Sequence, residues 1–204
     1  MAEVIPLFPA SRREGLSSLA MALFLGSWAL SFVALFIAWA WVRLKAPMWP
    51  PPGSPVMPVL WPTLGSILVV ASSASAHLSV DAIRRAKRRE ALWALGATIA
   101  LGLVFLALQS ISWLELWHAG LRLHRRTELE PWDTRVVYAG CFYALTWFHA
   151  AHVLSGLAVL GALLPSVARW RVTPGDHQSV RLSVWFWHFV TAMWFFVWPA
   201  AYVL

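Results

Sequence analysis

ALWALGATIALGLVFLALQSISWLELW, residues 91–117, runs for twenty-seven residues with a single charged side chain, Glu115, close to its end. A helix rising 1.5 Å per residue needs about 20 apolar residues to cross a hydrocarbon core about 30 Å thick. In lipid such a segment must satisfy its own backbone hydrogen bonds, which only a helix or a closed barrel can do. This run is therefore read as a transmembrane helix. Upstream it is bounded by RRAKRRE, residues 84–90, whose charges place that end in water.

Four further stretches match it: Leu16 to Val42, Leu60 to Val80, Val136 to Leu164 and Ser179 to Leu204. The expected fold is all-α, an integral membrane bundle of five transmembrane helices, with residues 1–15 a short cytoplasmic segment and 16–204 one bundle. Basic residues orient it. With the N-terminus inside, the inner segments hold ten: Arg12, Arg13, Arg84, Arg85, Lys87, Arg88, Arg89, Arg169, Arg171 and Arg181. The outer ones hold six: Arg43, Lys45, Arg122, Arg125, Arg126 and Arg135. The N-terminus is expected inside and the C-terminus outside. MWPPPGSPVMP, residues 48–58, favours a stiff extended strap on the outer membrane surface.

Composition agrees. Of the 204 residues 60% are hydrophobic and 12% charged, with a mean hydropathy of +0.65; soluble domains carry about 25% charged residues. The net charge of +7 resides in loop clusters, so nucleic acid is excluded as its reason, and RRAKRR reads as a loop that also touches anionic lipid. The lone Cys141 excludes an intrachain disulfide and a cysteine metal site. No cleavable signal peptide is evident, because the first apolar run is too long.

Small residues permit close helix approach in lipid. On this ground Gly140, Ala144, Ala151, Ser155, Ala158 and Ala162 are expected to form the packing face of the fourth span, and Gly65, Ser72, Ala76 and Ser79 that of the second. The larger side chains of the first span should then face lipid or a partner.

Five histidines lie within spans or at their ends: His77, His118, His149, His152 and His188. Ionisable groups at membrane depth are functional candidates. Haem ligation by paired histidines on facing helices is one reading. Neutral imidazoles hydrogen-bonded across the bundle, or reaching lipid or a neighbouring subunit, is the other and the commoner. Zinc or copper would want a denser ligand set. No phosphate loop or nucleophile elbow occurs.

The last two spans are more specific. FYALTWFHAAHVLSGL, residues 142–157, resembles the subunit III segment of haem–copper oxidases, with Phe148, His149, His152, Val153 and Gly156 on its Phe-His, His-Val and Gly positions. HQSVRLSVWFWHFVTAMWFFVW, residues 177–198, resembles that family's terminal segment, with Trp187, His188, Phe189 and Val190 on its Trp-His-Phe-Val core and His177 on its loop histidine. WPPPG at Trp49 to Gly53 and LGLVFLALQ ending at Gln109 are similar to its outer loop and its glutamine segment. The family's first two helices have no counterpart, which gives the five-helix form of bacterial quinol oxidases and some bacterial relatives. Its characteristic acids are absent too: Trp28, Ser112, Arg181 and Thr191 stand in their places.

The resemblance implies a non-catalytic subunit of a proton-pumping terminal oxidase in the bacterial cytoplasmic membrane. Haem and copper would reside in partner subunits, with none in this chain. It would bind catalytic subunit I beside subunit II, and hold phospholipid. His149, His152, His188, Trp187, Trp61, Gln109 and His177 are the candidates for lipid or subunit contact. The related accessory subunit of nitric oxide reductases and a di-haem b cytochrome are the alternatives.

Overall fold

The computed structural model describes residues 10–123 and 134–204. Arg125, Arg126, Glu128, Glu130 and Asp133 of the outer charge cluster lie outside them, as do the first nine residues of the expected cytoplasmic segment. Five helices follow in order: α1 (Ala10–Lys45), α2 (Leu60–Arg84), α3 (Arg88–His118), α4 (Thr134–Ala168) and α5 (Gln178–Tyr202). All five are long and apolar enough to cross a membrane. The first four extend beyond their apolar runs because the helix persists into the polar zone, where side chains such as Arg84 and Arg88 reach water, whereas α5 stops two residues short of the end of its run. Among the described residues the only β pairing is an isolated bridge, Thr173 to Asp176, in the α4–α5 connection.

Helices α2, α3 and α4 end by a common device. At the C-terminus of α2 the amides of Ala86 and Lys87 donate to the carbonyls of Ile83 and Ala82. Gly120 and Leu121 close α3 on Trp117 and Leu116, and Trp170 and Arg171 close α4 on Val167 and Ser166. These paired bonds form Schellman caps, which need one residue in the left-handed region. Gly120 (φ 96°) takes that conformation freely, whereas Ala86 (φ 57°) and Trp170 (φ 53°) carry a Cβ there.

Helices α2 to α5 form the body. Gly65 of α2 lies under the Phe105 ring of α3. Ser75 Oγ donates to the carbonyl of Ala94 at 2.8 Å, and Trp113 Nε1 to Thr146 Oγ1 at 3.1 Å. Tyr143 hydroxyl donates to the carbonyl of Leu121 at 2.9 Å, and the Arg88 guanidinium caps the α4 carbonyl of Ala168. The α2 face expected from its small residues is the buried one: Gly65, Ser72, Ala76 and Ser79 all point inward.

The expectation for α4 is overturned. Ala144, Ala151, Ser155, Ala158 and Ala162 are exposed, and Gly140 is half-buried. The inward face carries Phe142, Tyr143, His149, His152, Val153 and Gly156 instead. The reason is steric: α4 meets α3 and α5 across the bulky Trp187 and Trp194 rings, so contact comes from large side chains fitted around one glycine.

Among the described helices α1 lies outside this body and packs only on α4 and α5. Leu19, Leu23, Leu30, Val33 and Ile37 project outward, as its sequence suggests. Phe32 is the one deeply buried side chain among its described residues. The proline-rich connection is a turn rather than a fully extended strap. Ser54 amide donates to the Pro51 carbonyl at 3.1 Å, with Gly53 at φ 77° supplying the positive φ of a type II turn. Trp49 anchors it edge-on against Tyr138, with ring centroids 4.8 Å apart.

Candidate functional site

The candidates fall into separate groups. In the core, Trp187 is 1% exposed, and its Nε1 donates to Ser72 Oγ at 3.1 Å. Its ring lies between Gly102 of α3 and Gly156 of α4, where an added Cβ would approach it to 2.8 Å in each case. Two turns along α5 the Trp194 indole also reaches α2, its Nε1 donating to Ser66 Oγ at 2.8 Å. His149 sits beside it, with ring centroids 5.1 Å apart, and is enclosed also by Phe32 and Phe105. Neither nitrogen of His149 has a hydrogen-bond partner among the described residues. Being 1% exposed, it lies away from any surface a lipid or subunit reaches.

His152 faces the other way. Its Nδ1 lies 2.6 Å from the carbonyl of Phe148, fixing the ring, and Trp28 of α1 meets it edge-on at 4.1 Å between centroids. Together they line a groove of about 280 Å³ between α1, α4 and α5, walled by Met21, Phe24, Val159 and Phe186 with Ser155 and Ser183. Toward the α5 N-terminus, Arg181 Nη2 donates to Ser18 Oγ at 3.3 Å. Gln178 Nε2 also donates to Ser18 Oγ, at 3.1 Å, and to the carbonyl of Glu14, at 3.2 Å. These bonds fasten that end of α1 to α5.

His188 turns to α2, its Nδ1 2.5 Å from Ser73 Oγ and its ring 6.1 Å from that of His77. His177 precedes α5 and accepts from Arg84 Nε at 3.3 Å. At the opposite end Gln109 Nε2 donates to the Tyr202 hydroxyl at 2.6 Å, and Ser112 Oγ lies 3.1 Å from it. Trp61 Nε1 donates to Glu115 Oε1 at 2.8 Å.

The three intramembrane histidines of α4 and α5 thus point to an aromatic core, to α1 and to α2, and do not converge. Among the described residues no group of three or more His, Cys, Asp or Glu side chains could hold a metal ion. Sequence reasoning missed Tyr202, Ser66 and Ser73. Their roles depend on which helices meet, and a lone hydroxyl in an apolar run carries no such signal.

The family model of cytochrome c oxidase subunit III matches residues 9–204. A cytochrome c oxidase subunit 3 from Synechocystis is 33% identical over 188 residues, covering 89% of this chain and 73% of that relative. One from Thermostichus vulcanus is 32% identical over 187 residues, covering 91% and 86%. The subunit 3 of Gallus gallus is 30% identical over 190 residues, covering 89% and 67%. With five helices long and apolar enough to span a membrane, and with a match running across almost its whole length, the chain belongs to the cytochrome c oxidase subunit III family.

Proposed function

We propose that this chain works as the non-redox subunit of an oxygen-reducing, proton-pumping haem–copper oxidase, seated beside the catalytic subunit and holding phospholipid against it. Subunit III belongs to the complex without carrying its chemistry, and its relatives' names favour cytochrome c as the electron donor. The observation that carries the lipid role is the groove bounded by Trp28 and His152. Its walls are apolar at a depth suited to acyl chains, and the Arg181 guanidinium, steadied by Ser18, offers N–H donors toward one mouth. A tryptophan occupies the site of the family's glutamate, so lipid is held there by shape and dispersion rather than by a carboxylate.

The complex would lie in a bacterial cytoplasmic membrane with the α2–α3 turn inside and the C-terminus of α5 outside, following the bias of basic residues. Native mass spectrometry of the purified oxidase tests the function. Phospholipid should be released together with this chain, and Trp28→Ala with Phe24→Ala should change how much lipid is retained. A complex whose lipid content is indifferent to both substitutions refutes the groove. A stoichiometric Soret band on the isolated chain refutes the non-redox assignment.

A further inference from the structure

Polar groups on the outer side of α2 and α5 have no place against lipid. His77 lies seven residues before Arg84 on α2, and His188 seven residues after Arg181 on α5. At 1.5 Å per residue both stand about 10 Å from those arginines toward the membrane midplane, His77 one turn inside the end of its span at Val80 and His188 more than two turns inside its own. Leu78, exposed beside His77, keeps this surface of α2 apolar at that level. Yet the His77 side chain is 65% exposed, and Asp81 one turn away is 31% exposed.

The internal partners are incomplete. His77 Nε2 lies 3.7 Å from Asp81 Oδ2, and Asp81 Oδ1 lies 3.7 Å from Arg84 Nη1. Both exceed a hydrogen bond, so carboxylate and imidazole keep capacity to spare. His188 is held by Ser73 and leans on the His77 ring. An imidazole on one methylene cannot snorkel to the interface as lysine or arginine does. Ionisable residues within spans face protein or water rather than hydrocarbon.

The neighbouring surface is shaped for a helix. Above His77 along the same stripe of α2 come Ala74, Ala71 and Ile67, all exposed, and across the seam Ala192 of α5 is exposed beside half-buried His188. Small side chains there allow a backbone to come close, and the polar pair at one end sets its register.

We infer that the α2–α5 face is covered in the assembled complex by a transmembrane helix of another subunit. That helix crosses closely at Ala71 and Ala74 and presents a hydroxyl, amide or carboxyl side chain to His77 and Asp81. The inference rests on the subunit reading above and adds which face is used and what chemistry meets it. It is independent of the groove, which lies on the α1 side.

The test uses the complete oxidase carrying Cys141→Ser, with Ala74→Cys or, as a control on α1, Ile37→Cys. Each is modified with a benzophenone maleimide and irradiated in native membranes. At Ala74 the adduct should join this chain to another oxidase subunit, while at Ile37 it should fall mainly on lipid. His77→Leu should weaken retention of the chain on the detergent-solubilised complex about threefold to tenfold, and His77→Gln should restore most of it. Lipid adducts alone at Ala74 in a complex that still co-purifies with haem overturn this face and leave the subunit assignment standing. Adducts joining two copies of this chain also overturn it. Absence of haem protein from the purified complex overturns the assignment and this inference together.

Discussion

The fit of Trp187 between two glycines offers the most direct trial of how this bundle is held. Consider Gly156→Ala. The new Cβ would sit 2.8 Å from Cε3 and 3.1 Å from Cζ3 of Trp187, against an ordinary carbon contact of 3.5–4.0 Å. The indole cannot retreat, because Gly102 holds its opposite edge at the same limit and its Nε1 is tied to Ser72. The strain must go into moving α4 or α5, and overpacking of this kind costs about 1–3 kcal/mol. At about 1.4 kcal/mol per tenfold, the folded-to-unfolded ratio should fall about 5-fold to 150-fold. The assay is reversible unfolding of the purified chain in mixed micelles with increasing denaturing detergent, followed by helix content. The double variant with Trp187→Phe should recover part of the loss, because the smaller ring makes room. Its combined cost should therefore be at least 0.5 kcal/mol less than the sum of the single costs. Unchanged stability for Gly156→Ala, or strict additivity in the cycle, would refute the argument that the indole is clamped.

Four further outcomes are expected. Ser72→Ala leaves the Trp187 indole N–H unpaired and should destabilise the chain by about 0.6–1.7 kcal/mol, the range for hydrogen bonds between membrane helices; an unchanged unfolding midpoint would show the bond contributes nothing. Tyr202→Phe removes the hydroxyl shared by Gln109 and Ser112 and should cost about 1–3 kcal/mol, because both partners stay buried; a melting temperature equal to that of the parent chain would count against it. Ala86→Gly relieves a left-handed alanine and should stabilise by about 1 kcal/mol, which a lowered melting temperature would contradict. A cysteine placed at Lys87 in a Cys141→Ser background should react with impermeant maleimide only from the cytoplasmic side, and reaction from the outside would invert the proposed orientation.

Much of this architecture is legible in the residues because lipid imposes so simple a demand. An apolar run such as 91–117 has one stable conformation there, and every expected span coincides with a helix. The packing of α2 was legible for a similar reason: Gly65, Ser72, Ala76 and Ser79 repeat on one face and little else competes. Helix α4 misled the same reasoning. Its small face is better ordered than that of α2, yet it points outward, because which face packs depends on what the neighbouring helices bring. Here they bring Trp187 and Trp194, and the Trp187 ring needs one glycine of α4, Gly156, opposite it rather than a row of alanines. The histidines show the limit again. Spacing puts His149 and His152 three residues apart, but one is sealed among aromatic rings while the other opens on the groove. That division follows from where α1 lies, and no local pattern encodes it.

The slender attachment of α1 also bears on the order of assembly. Helices α2 and α3 are joined by a tight cap and can pair as soon as both have entered the bilayer, since contacts close in sequence form at little entropic cost. Helix α1 is synthesised before the surfaces that receive it, Phe148 and His152 on α4 and Gln178 and Arg181 on α5. It must therefore wait in the membrane, its leucine-rich flank bathed in lipid, until the final span is inserted. A chain truncated before α5 should retain the α2–α3 hairpin while its first helix stays undocked, measurable as a Phe32→Cys thiol open to a lipid-soluble maleimide that the complete chain excludes.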